Sequence, residues 1–232
     1  AVAWGYARDT APFMDALARE GVRFSRAMSQ SSFTRESVSS LITGLYPGEC
    51  LGTGWRAQPR RGTTLAEQFA QHGYRTAMFS NNQLIASKSF GRAMGQRVFG
   101  DVAWDESGFG PELARDAAAF IAHDAEPPFF AYVHFMDPHA PYDPPRSMYL
   151  QFAERVADPR LHLYGDINHH LNELVADGFG PGDPRFQDLI DRYDAEIRTT
   201  DYAVGMLFDA LERAGKRDNT IVVLLSDHGE EF

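Results

Sequence analysis

Apolar positions along the chain switch between a helical and a strand-like period. Asp9-Thr10 followed by Pro12 has the form of a helix N-cap with proline in the first turn. Phe13, Met14 and Leu17 then fall on one face, and Gly21 ends the helix. Val22 to Ala27 reads as a short strand. The Ser/Thr-rich stretch Ser29 to Ser40 runs into Leu41-Ile42-Thr43-Gly44, which predicts a capped helix over Ser37 to Thr43. A second helix, Thr64 to His72, closes at Gly73 and leads into a strand, Tyr74 to Phe79. Leu113 to His123 is helical in spacing. Phe129 to Phe135 is an almost continuous apolar run, the pattern of a strand covered on both faces. From Phe186 to Ala214, Leu189, Tyr193, Ile197, Val204, Leu207, Phe208 and Leu211 recur near helical spacing up to Gly215. Ile221 to Leu225, five aliphatics in a row, is the plainest strand. Between Arg146 and Pro184 the pattern weakens into Asp, Gly and Pro, so 146–184 reads as an irregular surface excursion or cap. Alternating helices and strands with no clear linker predict a single α/β domain over 1–232.

Composition narrows the class. The 232 residues are 44% hydrophobic and 12% aromatic, enough for a sizeable core and incompatible with a disordered or collagenous chain. A formal charge of −10 argues against a broad nucleic-acid or anionic-membrane surface, although a local cationic pocket is compatible with it. Cys50, the single cysteine, excludes an intrachain disulfide or a cysteine metal cluster. No apolar run approaches the roughly 18 residues of a membrane span. The first residues, Ala1 to Gly5, lack the basic head and apolar length of a signal peptide, and no initiator Met is present.

Ligands of open α/β sheets bind beyond the carboxyl ends of strands. Two predicted strands run straight into polar groups there: Asp137-Pro138-His139-Ala140-Pro141-Tyr142 follows one, and Ser226-Asp227-His228-Gly229-Glu230-Glu231 the other. Asp227 and His228 on a tight turn offer an oxygen and an imidazole nitrogen to a metal, with Gly229 giving the turn its freedom. Mixed donors of this kind suit Mn, Zn or Fe better than an all-oxygen calcium cage. Thr34 lies just ahead of a predicted helix, where backbone N–H groups and the helix dipole favour a phosphate or sulfate. A threonine hydroxyl is a weak nucleophile and needs a base or a metal to activate it.

Each of these residues also has a purely structural reading. Asp-His-Gly is a common turn, His139 a loop histidine between prolines, and Thr34 an N-cap. His169-His170 falls in the irregular excursion and reads as solvated surface. His72 and His123 sit at helix ends, His134 inside a strand, and Cys50 reads as buried and inert.

Order and spacing decide between the readings. Asp9 to Ala18, Gly21-Val22-Arg23-Phe24, Ser32-Phe33-Thr34, Ser40 to Pro47, Gly73 to Ala77, Tyr132 to Tyr142, Tyr193 to Ile197 and Ser226 to Phe232 together resemble the amino-terminal domain of the sulfatase family, in the alkaline phosphatase superfamily. The resemblance covers nearly the whole chain. It implies a three-layer α/β/α sandwich with a mostly parallel, mixed central sheet, truncated at both ends. The family nucleophile lies ten residues before the glycine of the Thr-Gly pair, which is Thr34 counted back from Gly44. Ser31 is the rival, because Ser31 and Arg35 mimic the spacing of the Cys-x-Pro-x-Arg motif, but Phe33 then stands where proline belongs.

By resemblance, Thr34 is nucleophile and metal ligand, Asp227 and His228 are metal ligands, and His139 contacts the ester or leaving group. Glu230 and Glu231 are neighbouring carboxylates without an assigned role. One divalent ion (Mn, Zn or Ca) is implied. No formylglycine is expected, since the nucleophile position holds no cysteine. Val38 replaces the motif arginine, and Asn81 stands where many arylsulfatases carry a lysine. These departures resemble the threonine-bearing branch, which includes phosphoethanolamine and phosphoglycerol transferases. Further acidic ligands upstream and a basic residue downstream are implied to lie outside the chain. The expected function is a metal-dependent hydrolase of sulfate or phosphate esters, possible substrates being small molecules, glycans or lipid headgroups. The alternatives are a transferase of the same superfamily or a binding module with a degenerate site. The resemblance implies an extracytoplasmic setting, no nucleic-acid partner, and membrane contact only through segments outside this chain.

Overall fold

A computed structural model describes residues 5–52, 58–99, 110–124, 128–153 and 178–230. The elements in chain order are helices α1 (Pro12–Glu20), α2 (Thr34–Thr43), α3 (Pro47–Cys50) and α4 (Leu65–Gln71), strands β1 (Arg75–Ser80) and β2 (Gln96–Phe99), helix α5 (Gly110–Ala119), strand β3 (Phe129–His134), and helices α6 (Arg146–Tyr149) and α7 (Pro184–Arg213). The protein is therefore α/β, as its pattern predicts. The chain divides into two compact units. One comprises 1–23, 102–114 and 135–207; the other comprises 24–101, 115–134 and 208–232.

The second unit is built on the sheet. Its strands are parallel in the order β2-β1-β3, with Ala77 opposite Gln96 and Ala131. Side chains of β1 alternate between two covered faces. On one, Met78 packs with Val38 and Ile42 of α2 and with Ile85 and Phe90. Phe69 of α4 stacks on Phe130 of β3 on the same face, with ring centroids 4.6 Å apart. On the other, Phe79 meets Phe120, in the π-helical turn Phe120–Asp124 that continues α5, and Phe120 meets Phe129 edge-on. Helix, sheet and helix thus form three layers within this unit. Burying an aromatic or large aliphatic side chain is worth about 1.5–3 kcal/mol, so these few contacts hold α2 firmly on the sheet.

Local signals account for the helix ends. Thr64 accepts the Glu67 N–H while Glu67 accepts the Thr64 N–H, a reciprocal capping box at the start of α4. Gly44 closes α2 in the left-handed region at φ 69°, where its N–H reaches the Ser40 carbonyl at 2.8 Å.

In the first unit, α1 begins at Pro12 without a side-chain cap from its N-cap residue, Ala11. Asp201 supplies that function from α7, accepting the N–H groups of Phe13 and Met14 at 3.1 and 2.8 Å. Burial raises the Asp201 carboxyl above its ordinary range, opposed by these two N–H groups. Arg8 lies 2.7 Å from both Asp191 and Asp194, and Tyr6 donates to Asp194 at 2.9 Å.

Several expectations require correction. Val22 to Ala27 forms no strand; Val22 and Phe24 are exposed. Ile221 to Leu225 likewise forms no strand among the described residues and is exposed, Ile221 at 94%, so an aliphatic run did not suffice to define a strand. The N-cap of α1 is Ala11 rather than Asp9-Thr10, while Gly21 ends the helix as expected, in an extended conformation. Helix α2 starts three residues earlier than predicted, which puts Thr34 inside it. Strand β2 and helices α3 and α6 were not foreseen. Of the excursion over 146–184, α6 is helical, and 154–177, with His169 and His170, lies outside the described residues.

Candidate active site

Within the sheet-based unit, α2 and the segment after Thr220 bring together residues 194 positions apart. Thr34 is the first residue of α2, 7% exposed, and its Oγ1 lies 3.0 Å from Nε2 of His228. The other imidazole nitrogen, Nδ1, donates to the Gly229 carbonyl at 2.7 Å, because a carbonyl can only accept. With the ring neutral, Nε2 presents its lone pair to the Thr34 hydroxyl, which donates to it. Such fixing of the tautomer by the opposite nitrogen is the usual device for a histidine that acts as a base or a metal ligand.

Asp227 completes the arrangement. Its Oδ1 accepts the His228 N–H at 3.0 Å, whereas Oδ2 is buried without a hydrogen-bond partner among the described residues and lies 3.6 Å from His228 Nε2. A buried carboxylate oxygen without a donor is costly, and a cation is one way to satisfy it. The Asp227 backbone carbonyl is held by hydroxyls from the other side: Ser37 of α2 donates to it, and Ser29 contacts it as well. Tyr132 on β3 stands close enough to feel the Asp227 charge, which adds to burial in pushing its phenol well above the ordinary value. Its hydroxyl lies 3.0 Å from Nδ1 of His134.

The donor set fits a divalent ion in chemistry. Asp227 Oδ2, His228 Nε2 and Thr34 Oγ1 are a carboxylate, a neutral imidazole and a hydroxyl within one small region. Among the described residues no group of three or more His, Cys, Asp or Glu side chains comes together as a metal cage. The first N–H groups of α2 lack intrahelical acceptors, as at any helix start, and point their dipole toward the same end.

The remaining predicted residues are accounted for individually. Ser31 makes local bonds: Oγ accepts the Phe33 N–H and its carbonyl accepts from Ser29. Arg35 pairs with neighbouring Glu36. Val38 is fully buried in the α2–sheet core, so the position is a packing one and its side chain does not reach the site. Asn81 is buried just past the carboxyl end of β1. Glu230 is exposed, and Glu231 lies outside the described residues. Gly229 has no left-handed backbone, and a Cβ there would meet nothing within 4 Å; the turn does not depend on glycine as expected. Cys50 is buried in α3 as predicted. His139 belongs to the other unit, in the loop after β3; it is exposed, and its Nδ1 lies 2.6 Å from the Ala140 carbonyl.

Sequence reasoning missed the hydroxyl groups of Ser29 and Ser37. Both lie in the Ser/Thr-rich stretch that it singled out, and Ser37 is one helical turn beyond Thr34. That spacing was the available signal.

The fold is α/β on a parallel sheet, and the sequence places the chain in the alkaline phosphatase superfamily. The profile described as Sulfatase matches residues 2–232, and the chain belongs to the sulfatase family. It is 28% identical over 261 residues to an ulvan-active sulfatase of Formosa agariphila, covering 98% of this chain and 48% of that protein. It is 25% identical to human N-sulphoglucosamine sulphohydrolase, covering 95% and 46%. The chain thus spans about half the length of these relatives. Among solved structures, the phosphonate monoester hydrolase of Agrobacterium radiobacter superposes with a TM-score of 0.69 at 18% identity, covering 94% of this chain and 57% of that one. The C-terminal periplasmic domain of EcEptC from Escherichia coli, in complex with Zn, gives 0.64 at 18% identity, covering 92% and 56%.

Proposed function

We propose that this chain carries the nucleophile and part of the metal site of a hydrolase that cleaves sulfate or phosphate esters. The observation that carries the reading is the 3.0 Å contact between Thr34 Oγ1 and His228 Nε2, beside the partnerless Oδ2 of Asp227. Thr34, Asp227 and His228 would hold a divalent ion; when bound, it supplies positive charge that lowers the pKa of the hydroxyl and neutralises the ester.

The chain's own residues do the rest. The imidazole of His228 keeps its proton on Nδ1, against the Gly229 carbonyl, so the Nε2 lone pair is the one turned to the Thr34 hydroxyl or, in its place, to an ion. Thr34 Oγ1, its proton passed to solvent, bonds to phosphorus or sulfur as the bond from that atom to the ester oxygen breaks, and the ester oxygen leaves as an alcohol with a proton from solvent. The opening N–H groups of α2 face the equatorial oxygens, where charge builds. By resemblance to the family, contact with the ester or leaving group falls to His139, whose Nδ1 lies 2.6 Å from the Ala140 carbonyl.

A threonine ester has no second hydroxyl through which to eliminate the bound group. The intermediate must therefore be attacked again at phosphorus or sulfur, and displacement at phosphorus is the commoner course. This mechanistic point and the phosphonate monoester hydrolase likeness favour phosphoesters; the curated relatives favour sulfated glycans. A small-molecule or glycan ester is the substrate class, and the periplasmic neighbour supports an extracytoplasmic setting.

The test is incubation of the protein with an aryl phosphate and, separately, an aryl sulfate, followed by peptide mass analysis. A phosphoryl or sulfuryl increment on Thr34 is expected, with turnover lowered on the order of 10⁴-fold or more in Thr34→Val. An increment on Ser31, or undiminished turnover in Thr34→Val, defeats the assignment.

A further inference from the structure

The first unit holds a carboxyl group that the proposed mechanism leaves unused. Glu196, in the middle of α7, is 0% exposed, and neither carboxyl oxygen meets hydrogen-bond geometry with a donor among the described residues. Thr200, one turn further along the same face of α7, holds the backbone carbonyl of buried Asp137, which brings that residue, in the loop after β3, beside Glu196. Two ionised carboxylates buried side by side would repel each other with little solvent to screen them. Asp137 is otherwise well engaged: its Oδ2 accepts the Gly110 N–H at 2.9 Å, and its backbone carbonyl accepts the Thr200 hydroxyl at 3.1 Å. A Cβ on Gly110 would come within 2.8 Å of that same Oδ2, so the carboxylate occupies space that only glycine leaves open.

The charged groups facing Glu196 across the packing are the carboxylates of Asp137 and Asp143. On its own helix, Arg192 one turn earlier is engaged by Asp188 at 3.0 Å and by the Tyr142 carbonyl at 3.4 Å. Burial, then the Asp137 charge, raises the Glu196 carboxyl well above the ordinary range.

We propose that Glu196 is a positioning residue: as a neutral acid it donates its proton to a carboxylate oxygen of Asp137 and so fixes the Asp137–Pro141 loop that carries His139. The proton stays on the pair, and no bond to substrate is made. Three attachments then converge on Asp137, from Gly110, Thr200 and Glu196, two residues before the imidazole. The functional weight of the loop rests on the role proposed for His139, whereas the hydrogen-bonded pair stands or falls without it.

The test uses the full chain and the variants Glu196→Gln, which keeps a donor of the same shape, and Glu196→Ala, which removes it. Infrared difference spectra near neutral pH, parent minus Glu196→Gln, are expected to show the C=O stretch of a protonated carboxylic acid. In nitrogen-15 spectra, with His139→Ala identifying the signal, the His139 imidazole resonances are expected to hold in Glu196→Gln and move in Glu196→Ala. Where ester turnover is measured, the Ala variant loses about 10²-fold in kcat, the scale of a misplaced group, and the Gln variant does not. Absence of the acid band overturns the proposal. So does an unmoved His139 signal in Glu196→Ala, or an equal movement in both variants. Failure of Thr34 to take up an adduct would instead defeat the proposed function and leave these spectra unchanged.

Discussion

Asp227→Asn separates the cost of the bare Oδ2 from its use. Without added metal, the parent buries a carboxylate oxygen that has no donor, and leaving a buried polar group unsatisfied costs about 1–3 kcal/mol. Asparagine keeps the shape, retains an oxygen for the His228 N–H now accepted by Oδ1, and replaces the charge with a neutral amide. The metal-free variant is therefore expected to be as stable as the parent or more so. A divalent ion reverses the order. An ion present at about 100 times its Kd stabilises the folded state by about 2.7 kcal/mol. For a chain of this size that corresponds to a rise in Tm of roughly 5–10 °C. The parent should show that rise with Mn²⁺ or Zn²⁺, and Asp227→Asn should lose most of it. Differential scanning calorimetry of both proteins, with chelator and with ion, supplies the four numbers. An equal ion-dependent rise in parent and variant would refute the reasoning, since Oδ2 would then have no part in holding the ion.

Two further outcomes follow from the geometry. Ser37→Ala removes a hydroxyl that ties α2 to the Asp227 carbonyl and should cost about 1 kcal/mol in chemical denaturation, partly offset by Ser29, which reaches the same oxygen. Asp201 has a folded-state carboxyl raised above its unfolded value, so its contribution is fully present below the ordinary aspartate range and is lost as pH rises through the raised value. Asp201→Asn should therefore flatten the fall in stability over that window, as measured by urea unfolding at a series of pH values; an unchanged profile would contradict the assignment.

The elements legible in the sequence were those whose apolar pattern is matched by packing. Strands β1 and β3 read correctly because Met78, Phe79 and Phe130 each bury against a helix. Helix α4 read correctly because its cap and its terminating glycine are local signals. Helix α7 was found, and Leu189, Val204, Phe208 and Leu211 of its predicted apolar positions are buried, but its enclosed face is not apolar throughout. Tyr193 and Ile197 are only partly buried, while Asp188, Asp191, Arg192, Asp194, Glu196 and Asp201 are enclosed. A hydrophobic count along the helix cannot see a face built of paired and bonded charges. Strand β2 was missed because Gln96 and Arg97 break the apolar run, and its place is set by pairing with β1. The Asp227-His228 turn was legible as a motif, yet its union with Thr34 across 194 residues depends on tertiary structure, which local patterns do not encode.

The burial of Cys50 has a practical consequence. It is the protein's only thiol and is sealed at 0% exposure. A maleimide dye can reach it only when α3 lifts away, so the labelling rate clocks opening at the end of the α2–α3 hairpin. Since α2 also carries Thr34, the same dye reports whether a substrate analogue locks that helix in place, with no engineered probe required.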